Sequence, residues 1–240
     1  MCGRFALSAM LTEIAEEFST QGGPDATLPV DWNIKPTQSI YYIHENLDQV
    51  RTISIGSWGL IAPWSKNEID ARRSQSQAIN ARSESVHEKP TFRKAFRRSR
   101  CLVPANGYYE WATELGRYKS KQPVFISRDD QKLISFAGIY DQWNTPDGKE
   151  ITSVAILTRD AVGELAKVHN RMPLIMPSDR WPLWLDHSIN DVEEILPLMN
   201  LSNPDAHLRY WPVSDRVNSI RNNGPELIEA IALGEPETLF

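Results

Sequence analysis

Cys2 follows the initiator methionine in Met1-Cys2-Gly3-Arg4-Phe5, so cleavage after Met1 leaves one residue with an α-amine and a thiol on adjacent carbons. Such a 1,2-aminothiol captures aldehydes: the amine condenses to a Schiff base and the sulfur closes a five-membered thiazolidine, two nucleophiles from one residue without a cofactor. An α-amine titrates at about 7.7 to 8.0 and a thiol near 8.5, so part of each is reactive near neutrality. A second-position cysteine can equally be buried and inert. The remaining residues decide which reading holds.

Four other places carry functional groups that could act with it. Glu110 lies in Gly107-Tyr108-Tyr109-Glu110-Trp111, a predicted strand rich in aromatics, and apolar surroundings raise a carboxyl toward the range useful for proton transfer at neutral pH. The alternative is a glutamate on a strand edge, facing water. His169 opens His169-Asn170-Arg171-Met172-Pro173 behind a predicted helix, whose dipole favours the charged imidazole; a helix cap is the plainer reading. Asn80 can orient a nucleophile by hydrogen bonding, or cap a helix, and Arg82 beside it can grip a phosphate with paired donors. Trp64, after Pro63, can stack on a base or wedge between nucleotides, or else cover a sheet edge.

The chain that must position these groups has 240 residues, 41% hydrophobic and 24% charged, an ordinary globular composition with ample length for a core. The two cysteines, Cys2 and Cys101, are too far apart in sequence to suggest a disulfide framework or zinc site, which fits a reducing cytosol. No basic segment leads into an apolar run, and no stretch approaches the roughly 20 apolar residues of a membrane span, so a cytoplasmic, membrane-free protein is expected. Net charge is −5, yet Arg72, Arg73, Arg82, Lys89, Arg93, Lys94, Arg97, Arg98 and Arg100 cluster in one stretch. One face can therefore attract phosphates on an acidic molecule, or the cluster is simply a solvated surface.

The apolar spacing predicts a helix over Ser8 to Phe18 with Ser8 as cap, and Gln21 to Pro29 reads as a loop. Strands are expected at 39–44, 50–58, 101–103, 107–113, 124–127, 133–143, 151–158 and 207–213, with Thr145-Pro146-Asp147-Gly148 turning a hairpin. Residues 59–78 read as a long irregular loop that ends at Asn80. Short helices are expected at 91–98, entered from Pro90, at 160–168 capped by Asp160, and at 178–186, 192–199 and 225–232. Strands and helices do not alternate as βαβ units. The expected fold is α+β: a single domain over 1–240 with a strongly curved, barrel-like, mainly antiparallel β core flanked by short helices.

Taken together the motifs are more specific than any one of them. Met1-Cys2-Gly3-Arg4-Phe5, Asn33-Ile34-Lys35-Pro36, Trp58-Gly59-Leu60-Ile61-Ala62-Pro63-Trp64, Asn80-Ala81-Arg82-Ser83-Glu84, the segment Arg100 to Trp111, Val168-His169-Asn170-Arg171-Met172-Pro173, Trp211-Pro212-Val213-Ser214 and Val217-Asn218 follow in order. The series resembles the SOS response-associated peptidase (SRAP) family of abasic-site processing proteins over most of the chain. The resemblance implies a DNA-damage-response protein that binds single-stranded DNA at an abasic site and joins the lesion through Cys2 as a thiazolidine. Asn80 would position Cys2, Glu110 would shuttle protons, and His169 would assist closure or reversal. Arg4, Arg82 and Arg171 would grip phosphates while Asn33, Trp64 and Trp111 shape the site. No metal or cofactor is implied; the expected state is a monomer that joins the nucleoid when bound to DNA, with protein partners unknown. The peptidase name implies that the same site removes Met1, although a small second residue also suits an ordinary methionine aminopeptidase. Lys35 replaces a common small apolar residue, and Asn170 replaces a frequent aspartate whose loss bears on how His169 is oriented. Two alternatives stay open: a thiol peptidase acting on other proteins, and a noncatalytic DNA-binding scaffold.

Overall fold

The computed structural model describes residues 2–112 and 121–232. Its centre is a closed five-stranded barrel. β3 (Ser39–Glu45) pairs antiparallel with β4 (Arg51–Trp58) and with β6 (Arg100–Ala105), which pairs with β9 (Ile134–Asn144), which pairs with β10 (Glu150–Asp160). A parallel contact, Ser153 with Ser57 and Val154 with Trp58, returns β10 to β4 and closes the ring. Closure removes the free edges that an open sheet exposes. The expected α+β class with a curved, mainly antiparallel core is what forms.

A second, antiparallel sheet lies beside the barrel in the order β12 (Leu208–Pro212), β8 (Gln122–Arg128), β7 (Gly107–Ala112), β1 (Phe5–Leu7), β2 (Asp31–Ile34). β6 and β7 are separated only by Asn106, so the chain passes directly from barrel to sheet. Two further three-residue strands attach to β10: β5 (Asn80–Arg82) in parallel at Ile156 to Thr158, and β11 (Arg171–Pro173) antiparallel at Thr158 to Asp160. The hairpin between β9 and β10 turns as expected, with Gly148 N–H donating to the Thr145 carbonyl at 2.9 Å.

The differences from the sequence expectations are physical. Helix α1 is Leu11–Glu17 rather than 8–18: Met10 occupies the cap, and Glu13 accepts from the Met10 N–H at 2.6 Å. Ser8 instead donates its N–H to Asn106 Oδ1 at 2.6 Å, which ties β1 to the β6–β7 corner. The stretch 59–78 is not irregular throughout, because it contains α2 (Glu68–Gln77), capped by Asn67 Oδ1 accepting from Asp70 N–H. Only Ala71 and Gln75 of α2 are buried, so an apolar stripe was missing from the sequence. Gly59 (φ 116°) turns the chain into this segment where a Cβ would strike the Gln75 carbonyl.

Helix α3 is Arg93–Arg98, entered from the Lys89 carbonyl rather than at Pro90. Asp160 ends β10 and caps nothing; the helix after it is a single 3₁₀ segment, Gly163–Lys167. Residues 178–186 split into a 3₁₀ turn and α4 (Trp181–Leu185), residues 192–199 into α5 (Val192–Ile195) and a 3₁₀ turn, and 225–232 holds only Pro225–Leu227 in 3₁₀ form. The expected strand end at Thr113 lies outside the described residues.

Candidate active site and nucleic-acid interface

β7 divides the site. Side chains alternate across a strand, and the pairing Phe5 with Tyr108 sends Tyr108 and Glu110 to one face, Tyr109 and Trp111 to the other. Tyr108 packs in the main core with Cys2 and Phe5, while Tyr109 packs in a smaller cluster with Ala6, Phe125 and Val213.

On the first face Cys2 is fully buried, its Sγ 3.9 Å from the Arg4 carbonyl. Glu110 is 3% exposed, and that burial lifts its carboxyl from an ordinary 4.5 to about 7. Burial drives the Cys2 thiol far above its usual range, and the Glu110 charge adds to the effect. The buried Tyr108 hydroxyl is likewise raised, by desolvation first and then by Cys2 and Glu110, so the three groups lie within mutual electrostatic reach. The carboxyl therefore sits where a proton can be taken or returned near neutrality.

Two short strands on β10 bring in the amide and the imidazole. Asn80, on β5, donates from Nδ2 to the Cys2 carbonyl at 2.7 Å. Its Oδ1 is buried and has no hydrogen-bond partner among the described residues. His169 sits just before β11, and its Nδ1 lies 2.9 Å from the Arg171 backbone N–H and 3.1 Å from the Arg171 carbonyl oxygen, so either tautomer of the neutral ring finds a partner in that residue. The expected dipole-stabilised imidazolium is not found. Burial, with nearby positive charge that includes Arg171, lowers the His169 pKa, and the preceding 3₁₀ segment has only five residues. The backbone contact also orients the ring without a carboxylate at position 170.

The residues expected at DNA divide into separate places. On the second face of β7, Arg4 donates to Asn33 Oδ1 at 2.6 Å and to the Val217 carbonyl at 2.9 Å, and its guanidinium lies 5.9 Å from the Trp111 ring. Asn33 donates to the carbonyls of Val217, Ser219 and Asn222, and Trp111 Nε1 donates to Asn218 Oδ1 at 2.6 Å. These three side chains hold the segment 217–222 against the sheet. Arg82 is exposed on β5 and makes no ion pair among the described residues. Arg171 is paired with Glu84 and Asp160. Trp64 is 56% exposed and lines a cleft of about 340 Å³ together with Lys66, Asp70 and Arg73.

In the basic stretch, Arg93, Lys94, Arg97 and Arg98 of α3 are exposed, and Lys94 pairs with Asp141 at 3.3 Å. Arg100 is not part of that surface: it is 3% exposed and donates to the carbonyls of Phe96, Arg97, Trp184, Asp186 and Ile189. Sequence reasoning did not single out Tyr108, though it lies two residues from Glu110 on a strand, and that period of two was the available signal. Glu84 and Asp160 gave no signal, since their meeting with Arg171 depends on the pairing of β5, β10 and β11. No group of three or more His, Cys, Asp or Glu placed to hold a metal occurs among the described residues.

The profile described as SOS response associated peptidase (SRAP) matches residues 1–220. The abasic site processing protein YoqW of Bacillus subtilis (strain 168) is 35% identical over 231 residues, covering 96% of this chain and 100% of its own. The abasic site processing protein HMCES of Xenopus tropicalis is 32% identical over 203 residues, covering 76% of this chain and 58% of its own. Among solved structures, a protein from Bacteroides thetaiotaomicron superposes with a TM-score of 0.83 at 26% identity, covering 96% of this chain and 100% of that one. A Bordetella bronchiseptica protein gives 0.74 at 26% identity, covering 89% and 100%.

Proposed function

The chain belongs to the SOS response-associated peptidase family, and from that premise we propose that it captures abasic sites in single-stranded DNA covalently through Cys2, once Met1 has been removed. Loss of Met1 turns the Cys2 amide nitrogen into a primary amine. The amine adds to the C1′ aldehyde of the ring-opened deoxyribose, and water leaves as the Schiff base forms. The thiol then adds to the imine carbon and its proton passes to the nitrogen, which gives the thiazolidine. A buried, protonated thiol is a poor first nucleophile, so the amine acts first and the sulfur follows when its proton can be taken.

Glu110 has the position and proton affinity for both transfers: it protonates the departing hydroxyl and then receives the thiol proton, a class of assistance worth roughly 10²- to 10⁴-fold. Asn80 fixes the Cys2 carbonyl and so the direction of the amine. His169, its pKa lowered by burial so that the ring is neutral, serves closure and reversal. Arg82, Arg171 and Arg4 meet phosphates, Trp64 stacks on a flanking base, and Asn33 and Trp111 shape the strand's path. The thiazolidine removes the carbonyl and iminium that promote β-elimination, so capture shields the strand from breakage. The protein works as a monomer in the cytoplasm and joins the nucleoid when bound; self-removal of Met1 and lyase-type reversal belong to the same site.

The observation that carries this reading is the hydrogen bond from Asn80 to the carbonyl of the buried Cys2, whose thiol also feels the charge of the buried Glu110. A thiol peptidase acting on other proteins would need its sulfur exposed and readily ionised, and neither holds here. Incubation with single-stranded DNA bearing one abasic site should give a heat-stable, slowly migrating species on a denaturing gel. Cys2→Ala should abolish it; an adduct that survives in the variant assigns the chemistry elsewhere, and turnover of peptides favours the peptidase.

A further inference from the structure

We infer that Glu84 and Asp160 are positioning residues for His169, acting through Arg171. The inference rests on the role proposed above for His169 but concerns a contact that exists without DNA. Arg171 is only 11% exposed at its side chain, and all four of its terminal N–H donors are engaged. Nη1 donates to Glu84 Oε1 at 2.8 Å and to Asp160 Oδ1 at 2.6 Å; Nη2 donates to Glu84 Oε2 at 3.0 Å and to the Thr158 carbonyl at 2.7 Å. The Glu84 pair is a fork, which fixes the guanidinium plane as well as its place.

The clamp gathers three strands. Thr158 stands opposite Arg82 of β5 and Pro173 of β11, and Asp160 stands opposite Arg171. Its two ends are the strands that carry Asn80 and follow His169. The same residue whose side chain is locked presents both its backbone N–H and its carbonyl oxygen to His169 Nδ1, at 2.9 and 3.1 Å. Holding Arg171 therefore holds the turn 169–171 and, with it, which of these two contacts the ring makes. Burial alone would raise Glu84, yet its bonds to Arg171 and that residue's charge outweigh burial and leave it below the ordinary carboxylate range, so the clamp is charged at neutral pH. A phosphate reaching Arg171 must displace one of these acceptors, because only the buried Nε is left over.

The test compares wild type with Glu84→Gln, Asp160→Asn and the double variant. Both carboxylates are solvent-accessible, 49% and 81% at the side chain, but Arg171 is not, so a thermal melt of each variant first establishes that it is folded. Imidazole ¹⁵N shifts of His169, recorded on DNA-free protein above its titration, read the tautomer directly. Wild type should show one tautomer, with the other below about one tenth. The double variant should raise the minor form to roughly one third or more, and Glu84→Asp should restore most of the wild-type signature. An unchanged ¹⁵N pattern in a folded double variant overturns the inference, as does tighter DNA binding without a tautomer change, which would make the carboxylates mere competitors of phosphate. Since no DNA enters the ¹⁵N measurement, its outcome is separate from that of the crosslinking assay.

Discussion

The account turns on Cys2 and Glu110, two groups whose reactivity is set by burial. Glu110 holds its proton more tightly in the fold than in the unfolded chain, with a folded value of about 7 against 4.5. The sign follows: the native state binds more protons across this window, so the group's favourable contribution is complete below about pH 4.5 and is lost as pH rises through about 7. Glu110→Gln should therefore flatten that part of the stability profile, and thermal melts of both proteins from pH 4 to 8 check it; parallel profiles would remove the raised carboxyl. A second prediction separates amine from sulfur. After Met1 removal, Cys2→Ala keeps an amine but cannot close the ring, so borohydride should still trap a Schiff base while the unreduced heat-stable adduct disappears. If borohydride traps nothing from Cys2→Ala, the amine is not the first nucleophile. The individual groups were legible in sequence because aromatic neighbours advertised an apolar carboxyl. The neutral His169 was not, because its environment comes from a strand pairing and from backbone contacts with Arg171.

At the scale of elements, the short strands β5 and β11 do most of the positioning, and neither was foreseen. Three residues cannot display an alternation, and their place is fixed only by pairing with β10. Asn80 therefore read as the end of a loop, and helix α2 was hidden by its polar sequence. The long strands β3, β4, β9 and β10, by contrast, show alternating or continuous apolar runs and were found within a few residues. Two predictions sit here. Asn33 is 4% exposed and serves three carbonyls of the segment 217–222, so Asn33→Ala should cost about 2 to 3 kcal/mol in denaturant unfolding by leaving buried acceptors unpaired. A loss under about 0.5 kcal/mol would mean the segment is held otherwise. Trp64 is half exposed, so Trp64→Ala should leave melting unchanged and weaken single-stranded DNA binding by about 1 to 3 kcal/mol if it stacks on a base.

For the whole molecule, the barrel and the second sheet act as a frame that brings the N-terminal residues, β7 and the attachments of β10 to one place. The curved antiparallel class was visible in strand density and in the absence of βαβ order, but barrel closure through a parallel β10–β4 contact was not, since register between distant strands leaves no local trace. The net charge of −5 likewise conceals a basic helix surface at α3, from which Arg100 has to be subtracted. If α3 lies along the DNA, replacing Arg97 and Arg98 with Ala should lower the slope of log affinity against log salt by about 0.7 for each phosphate that is no longer neutralised. An unchanged slope would leave α3 as solvated surface. The central claim is tested most directly by intact and peptide-level mass spectrometry of the product formed with single-stranded DNA carrying one abasic site. The predicted product has the mass of the protein without Met1 plus the DNA minus one water, with the modification on Cys2. A product that retains Met1, maps to another residue, or fails to form when Met1 is verifiably gone would contradict it.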